Sequence, residues 1–146
     1  MNVDRAAILE IRKLSPTEWE LAFPVMRQLR SLNQAEFLLR VRRQSLSGYE
    51  LIGAFQADLL VGVMGMRPVH TLARGAYLHV DDLVVDHEAR GSGAGYALMA
   101  YAEADARARE MTAIFLDARQ EAILFYEKAG YALHPAPSMK KMISNG

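Results

Sequence analysis

The chain has 146 residues, about the length of one ordinary domain, and its 17 basic and 17 acidic side chains cancel to a formal net charge of zero. That balance gives no electrostatic footprint for nucleic acid or an acidic membrane, and no apolar run approaches the roughly 18 residues of a membrane span. The chain has no cysteine, which excludes disulfides, thiolate catalysis and cysteine-ligated metal centres.

Residues 1–146 therefore read as a single soluble domain, expected in the cytoplasm. Asp4, Arg5 and Glu10 flank the first apolar patch, so the cationic-then-apolar order of a signal peptide is missing. Ala7 to Leu14 alternates apolar and polar residues and predicts a first strand. Ser15-Pro16-Thr17-Glu18 and Asn33 to Glu36 are two capping boxes, each followed by apolar residues at helical spacing. Two helices are expected between residues 16 and 47, with a kink or break at Pro24 and a stop at Gly48. Tyr49 to Gln56 and Leu59 to Val69 are apolar runs joined by Ala57-Asp58, the pattern of a hairpin. Ala76 to Val85 is the next strand. A charged loop, Asp86 to Ala89, leads through Arg90-Gly91-Ser92-Gly93-Ala94-Gly95 into an Ala-rich helix ending near Glu110. Ala113 to Asp117 reads as a short strand and Glu121 to Ala129 as a helix stopped by Gly130. Tyr131 to His134 and Met139 to Ile143 read as late strands around Pro135 and Pro137. The order β-α-α-β-β-β-α-β-α-β-β predicts an α/β protein with one mixed sheet and helices on both faces.

The segment from Leu83 to Tyr96 carries the most chemistry. A strand ends, glycines turn the chain, and a helix begins, so unpaired N–H groups and the positive end of the helix face one spot. Arg90 adds a cation, and a pyrophosphate is the natural guest; the alternative is a glycine turn used only for tight packing. A P-loop is excluded because Tyr96-Ala97, not Lys-Ser/Thr, follows the last glycine. The G-x-G-x-G spacing also differs from the dinucleotide fingerprint. No His, Asp and Glu spacing suggests a metal set.

Arg90-x-x-Gly93-x-Gly95 after an apolar strand, followed by Phe125-Tyr126-Glu127-Lys128-Ala129-Gly130-Tyr131, resembles the GNAT N-acetyltransferase superfamily. The resemblance spans the chain in element order and is specific from about Tyr77 to Tyr131. It implies a central, mostly antiparallel mixed sheet and acetyl-coenzyme A as acetyl donor. It places Arg90, Gly91, Ser92, Gly93, Ala94, Gly95 and Tyr96 around the pyrophosphate. It sets the main chain of Leu83, Val84 and Val85 along the pantetheine arm, with a bulge that splays this strand from the next. The acceptor would be an amine of a small molecule or peptide, and a homodimer is an expected assembly.

The same resemblance gives Tyr126 the role of proton donor to the departing sulfur; packing beside Phe125 is the alternative. An alkylammonium titrates near roughly 10, so transfer at neutral pH needs a proton acceptor. In an extended strand Tyr77, His79, Asp81 and Leu83 share one face. Asp82 falls with Leu78, Val80 and Val84 on the other, unless a bulge shifts the phase. Polar groups in a central strand are costly unless paired or used. His79 and Asp81 are therefore candidates for the base, with substrate binding or a structural pair as alternatives. Arg119 stands where many relatives carry a coenzyme-contacting Asn, and that contact is not carried over. Arg40, Arg42 and Arg43 on the second helix could attract an anion or form a solvated face. The same fold could also serve as a non-catalytic coenzyme A sensor or partner-binding module; Tyr126 and the His79/Asp81 pair favour an enzyme.

Overall fold

A computed structural model describes residues 8–144. The first strand, β1, is Glu10–Lys13, shorter than the expected Ala7 to Leu14; Ala7 lies outside the described residues. After it, Pro16–Ala22 forms a 3₁₀ turn and Phe23–Met26 a single α turn, α1. Pro24 does not break the helix. It sits within the first two positions of α1, where its missing N–H costs nothing, and the 3₁₀ turn precedes it. Ser15 N donates to Glu18 Oε1 at 3.0 Å. Asn33 opens α2, Gln34–Ser45, with Glu36 N donating to Asn33 Oδ1 at 2.9 Å.

Strands β2 (Glu50–Gln56) and β3 (Leu59–Thr71) form the expected hairpin. Ala57 and Asp58 both have positive φ, 50° and 68°, the backbone of a type I′ turn that matches the strand twist. Then come β4 (Gly75–Val85), α3 (Ala94–Ala108), β5 (Ile114–Leu116) and α4 (Ile123–Lys128). The sheet runs β1-β2-β3-β4-β5. Its first four strands pair antiparallel, and β5 joins β4 in parallel.

The core lies on both faces of this sheet. Leu14, Trp19, Phe37, Tyr49, Leu51 and Val63 pack under α1 and α2. Ile52, Met64, Met66, Leu78, Val80, Leu98 and Met99 pack under α3. Each fully buried side chain of this size contributes roughly 1.5–3 kcal/mol.

The two late strands do not form. Residues 131–144 carry no regular structure, and Leu133, Met139, Met142 and Ile143 are exposed. Met139-Lys140-Lys141-Met142-Ile143 presents no clean apolar face at period two, because Lys141 falls between Met139 and Ile143. Pro135 and Pro137 remove two ladder donors beside it. The observed order therefore ends at α4, with the outer edge of β5 unpaired among the described residues.

Candidate active site

The site begins at an irregularity in β4. Gly65 of β3 pairs with Asp82 and its neighbour Met66 with Val80, which leaves Asp81 as a one-residue bulge. Before the bulge, Leu78 and Val80 face α3. After it, Leu83 and Val85 pack on that same side while Val84 packs under α1 and α2. The phase has flipped. Asp82 consequently stands on the same face as His79 and Asp81, not on the face that strict alternation assigns to it.

Three polar residues of one strand thus converge, and each has partners. Arg67 grips Asp81 with two contacts, Nε to Oδ2 at 2.7 Å and Nη2 to Oδ1 at 3.2 Å. His79 Nδ1 lies 3.0 Å from Asp81 Oδ1, off the line of a good hydrogen bond. Burial pulls the Asp81 carboxyl upward, yet His79 and Arg67 outweigh it and hold it below the ordinary carboxylate value. A carboxylate held this acidic is a poor proton acceptor, so the arrangement suits Asp81 to orienting His79.

Asp82 is fixed from the other side. Tyr49 donates its hydroxyl to Asp82 Oδ2 at 2.6 Å, and Arg30 donates to Asp82 Oδ1 at 2.9 Å and to Asp81 O at 3.0 Å. Burial, then the charge of Asp82, pushes the Tyr49 phenol well above its usual value. The phenol reaches Asp82 only because residue 65 is glycine: a Cβ there would overlap the Tyr49 hydroxyl. Tyr49, Arg30, Asp81 and Asp82 line a cavity of about 290 Å³ together with Arg40, Gln44 and apolar residues of α1 and α2.

Pairing between β4 and β5 stops at Val80 and Leu116, so the main chain of Leu83, Val84 and Val85 turns an unpaired edge toward the gap. Beyond it, Gly91 and Gly93 both adopt positive φ, 85° and 89°, and a Cβ on either would meet nothing within 4 Å. Ser92 Oγ accepts from Ala94 N at 3.3 Å. Gly95 and Tyr96 lie in the first turn of α3, where N–H groups have no intrahelical acceptor. The open concavity, the free amides and the exposed Arg90 fit a pyrophosphate, and the free strand edge fits a pantetheine arm. Gly95 has a second duty, since a Cβ there would press on the Phe125 ring at 3.1 Å. Gln28 holds the loop entrance, donating to Asp86 Oδ1 at 3.2 Å and accepting from His87 N at 3.1 Å.

Tyr126 stands apart from the strand cluster. It lies half-buried on α4, in T-shaped contact with Phe125 and Tyr131, and lines a larger cavity of about 530 Å³ beside β5. Burial raises its phenol above the ordinary value, so it holds a proton at neutral pH. The neighbouring Tyr131 is pushed up to about 12 by burial, with Glu103 and Tyr126 adding to the shift. Arg119 donates to Leu29 O at 3.3 Å, joining the segment after β5 to the turn after α1. The structure therefore gathers His79 and Asp81, and separately the glycine loop. It brings Asp82 to the same face, the case the sequence left open for a bulge, and adds Tyr49, Arg30, Arg67 and Gln28, which sequence reasoning missed. The adjacent pair Asp81-Asp82 in an otherwise apolar strand was the one available signal.

A family model described as the acetyltransferase (GNAT) family matches residues 8–131. A glucosamine 6-phosphate N-acetyltransferase of Trypanosoma brucei brucei is 33% identical over 69 residues, which is 47% of this chain and 47% of that protein. The match thus spans about half the length of that curated relative. Among solved structures, a ribosomal-protein-alanine N-acetyltransferase from Brucella melitensis biovar Abortus superposes with a TM-score of 0.81 at 18% identity, covering 92% of this chain and 99% of that one. A glucosamine-6-phosphate N-acetyltransferase from Arabidopsis thaliana gives a TM-score of 0.75 at 22% identity, covering 94% and 99%. At these identities the two structures establish the fold.

Proposed function

The chain belongs to the GNAT acetyltransferase family, and from that premise we propose that it transfers an acetyl group from acetyl-coenzyme A to a primary amine. The observation that carries the reading is the bulge at Asp81. It falls where β4 parts from β5 and puts Asp82 on the same face as His79 and Asp81, with Asp81 and Asp82 lining the cavity beside α1 and α2.

When bound, acetyl-coenzyme A supplies the activated acetyl group. Arg90 and the amides of Gly91, Gly93, Gly95 and Tyr96 would hold anionic oxygens, since Ser92 N already donates to Ala89 O and Ala94 N to Ser92 Oγ, and the free edge of Leu83 to Val85 would hold an extended arm. Main-chain N–H groups near Leu83 and Val84 stabilise charge developing on a carbonyl oxygen. His79, oriented by Asp81, accepts the proton that the acceptor ammonium must lose. Tyr126, kept protonated by burial, gives a proton to the departing thiolate. This last role needs Tyr126 to meet the thioester end of the gap, on the opposite side from His79.

The relatives' names cover a phosphorylated aminosugar and an alanine of a ribosomal protein as acceptors, so the class of amine is a separate question. The protein is proposed to work in the cytoplasm; no helix among the described residues is long and apolar enough to cross a membrane. A homodimer is proposed on the exposed apolar tail and the unpaired edge of β5. A thiol-release assay with acetyl-coenzyme A over an amine panel tests the activity. Coenzyme binding without thiol release on any amine favours the alternative reading, a coenzyme A-binding sensor or partner-binding module.

A further inference from the structure

Base, acid and oxyanion donors leave one charged residue of the strand cluster without a task, Arg67. It sits on β3 directly opposite His79 in the ladder, so the two side chains share a face. Its partner is not His79 but Asp81, the bulged residue two places on. Nε takes Asp81 Oδ2 at 2.7 Å and Nη2 takes Oδ1 at 3.2 Å, and that same Oδ1 lies 3.0 Å from His79 Nδ1. One carboxylate oxygen thus stands between a guanidinium and an imidazole. The hydrogen bond to Asp81 raises the already high guanidinium value of Arg67, so its charge is permanent. A carboxylate this near an imidazole, acting alone, favours the imidazolium. An imidazolium is a spent base, and it repels an incoming ammonium. A guanidinium on the same carboxylate opposes that bias, because one cation disfavours a second beside it. Other ionisable groups surround the ring. Tyr77 precedes His79 on the same face of β4. From β5, Phe115 stands opposite His79, with Arg74 4.0 Å over its ring and His134 edge-on at 5.4 Å. Past Asp81, Asp82 is matched by Arg30 and Tyr49, and Arg40 lines the cavity with both aspartates. Among the described residues, only Asp81 comes within ion-pair distance of His79.

We propose that Arg67 is a positioning residue for the base: by gripping Asp81 it offsets the carboxylate's pull toward imidazolium, so that His79 meets the acceptor ammonium as a proton acceptor at neutral pH. This deepens the acetyl-transfer reading and rests on His79 as its base. The ammonium proton goes to His79, the amine nitrogen joins the acetyl carbon and the thioester breaks; Arg67 and Asp81 exchange no proton. Arginine suits the task because its planar fork fixes both carboxylate oxygens and its charge is never given up. Lysine keeps the charge and loses the fork, whereas glutamine loses the charge and keeps a donor, so the two contributions separate.

Two readouts test this. One is the pH dependence of kcat/KM by thiol release, with one amine throughout, glucosamine 6-phosphate or whichever member of the panel turns over. The other is the NMR titration of the His79 ring in the coenzyme A-saturated protein, which needs no turnover. Arg67→Gln is expected to move the midpoints of the acid limb and of the ring upward by roughly 0.5–1 pH unit, less than a fully desolvated charge produces because Arg67 is 38% exposed. On the limb that is roughly a three- to tenfold loss of kcat/KM, recovered at higher pH. Asp81→Asn should move both midpoints downward. Arg67→Lys should leave both in place while lowering the plateau. The double variant Arg67→Gln, Asp81→Asn should lie above Asp81→Asn, which reads the same charge if Arg67→Gln alone does not fold. A residue that only braces the sheet would lower the plateau and leave the midpoints unmoved. An unmoved or lowered midpoint in Arg67→Gln overturns the proposal, as does an equal upward shift in Arg67→Lys. Ring midpoints that move as stated beside an unmoved kinetic limb sustain the hold of Arg67 on His79 and count against His79 as the base; a limb that vanishes in His79→Gln but ignores Arg67→Gln does the reverse.

Discussion

Replacing Tyr49 by Phe removes one oxygen and leaves the ring in place. The lost contact is the 2.6 Å bond to Asp82, made by a residue only 5% exposed. Hydrogen bonds to charged groups contribute about 1.5–3 kcal/mol net. Asp82 keeps Arg30, so its carboxylate is not stranded and the cost should lie inside that range. For a domain of this length the loss corresponds to a fall in Tm of roughly 3–10 °C. Urea denaturation of Tyr49→Phe, Asp82→Asn and the double variant closes a cycle, and a coupling of at least about 1 kcal/mol is expected. The alkaline side gives an independent check. The folded phenol has a raised pKa, so its contribution is complete below about pH 10, where the unfolded phenol titrates, and is lost as pH rises beyond it. Wild type should therefore lose stability more steeply above pH 10 than Tyr49→Phe. Gly65→Ala adds a Cβ that overlaps the hydroxyl, and it should destabilise by a similar amount or more. A Tyr49→Phe cost under about 0.5 kcal/mol, with no coupling to Asp82, would refute the placement of this cluster.

His79→Gln should flatten the acid limb of kcat/KM against pH, whereas Asp81→Asn should shift or lower that limb without removing it; survival of the limb in His79→Gln rules His79 out as the base. Tyr126→Phe should lower kcat by roughly 10²-fold, the usual scale for a general acid, with a small effect on coenzyme affinity in calorimetry; wild-type turnover would return Tyr126 to packing beside Phe125. Gly93→Val puts a branched side chain into the open concavity at a φ of 89° and should weaken coenzyme binding more than tenfold; equal affinity in a folded variant would remove the phosphate-loop reading. The depressed Asp81 carboxyl stabilises the fold above its unfolded pKa of about 3.9 and loses that contribution as pH falls through the folded value. Tm should accordingly drop faster below about pH 4 in wild type than in Asp81→Asn.

What the sequence made legible was local. The capping boxes at Ser15 and Asn33, the Ala57-Asp58 turn and the glycine loop each write their geometry within a few neighbouring residues. The bulge at Asp81 does not, because its extra residue is set by how Gly65 and Met66 pair across the sheet. One uncounted residue then reverses every side chain beyond it, and Asp82 changes face. Tyr49 and Asp82 are 33 positions apart, and nothing local announces that a glycine at 65 leaves room for their contact. The late strands were misread for the opposite reason. Tyr131 to His134 and Met139 to Ile143 are apolar enough to suggest strands, but neither pairs with the open edge of β5.

The seam between β4 and β5 has a consequence for the order of assembly. Strands β2, β3 and β4 are linked by short turns and can zip together through neighbours in sequence. The parallel strand β5 must wait until α3 has returned the chain, and it then gains only three residue pairs, Leu78 to Ile114 through Val80 to Leu116. Closing that long loop brings few new bonds, so β5 and α4 join last and detach first, as a separate cooperative unit. A cosubstrate lying along the free edge of β4 and reaching Tyr126 would touch both sides of the seam. It would stabilise this unit by about 2.7 kcal/mol at a hundredfold excess over its Kd, so occupancy and the integrity of the sheet's last strand would rise and fall together.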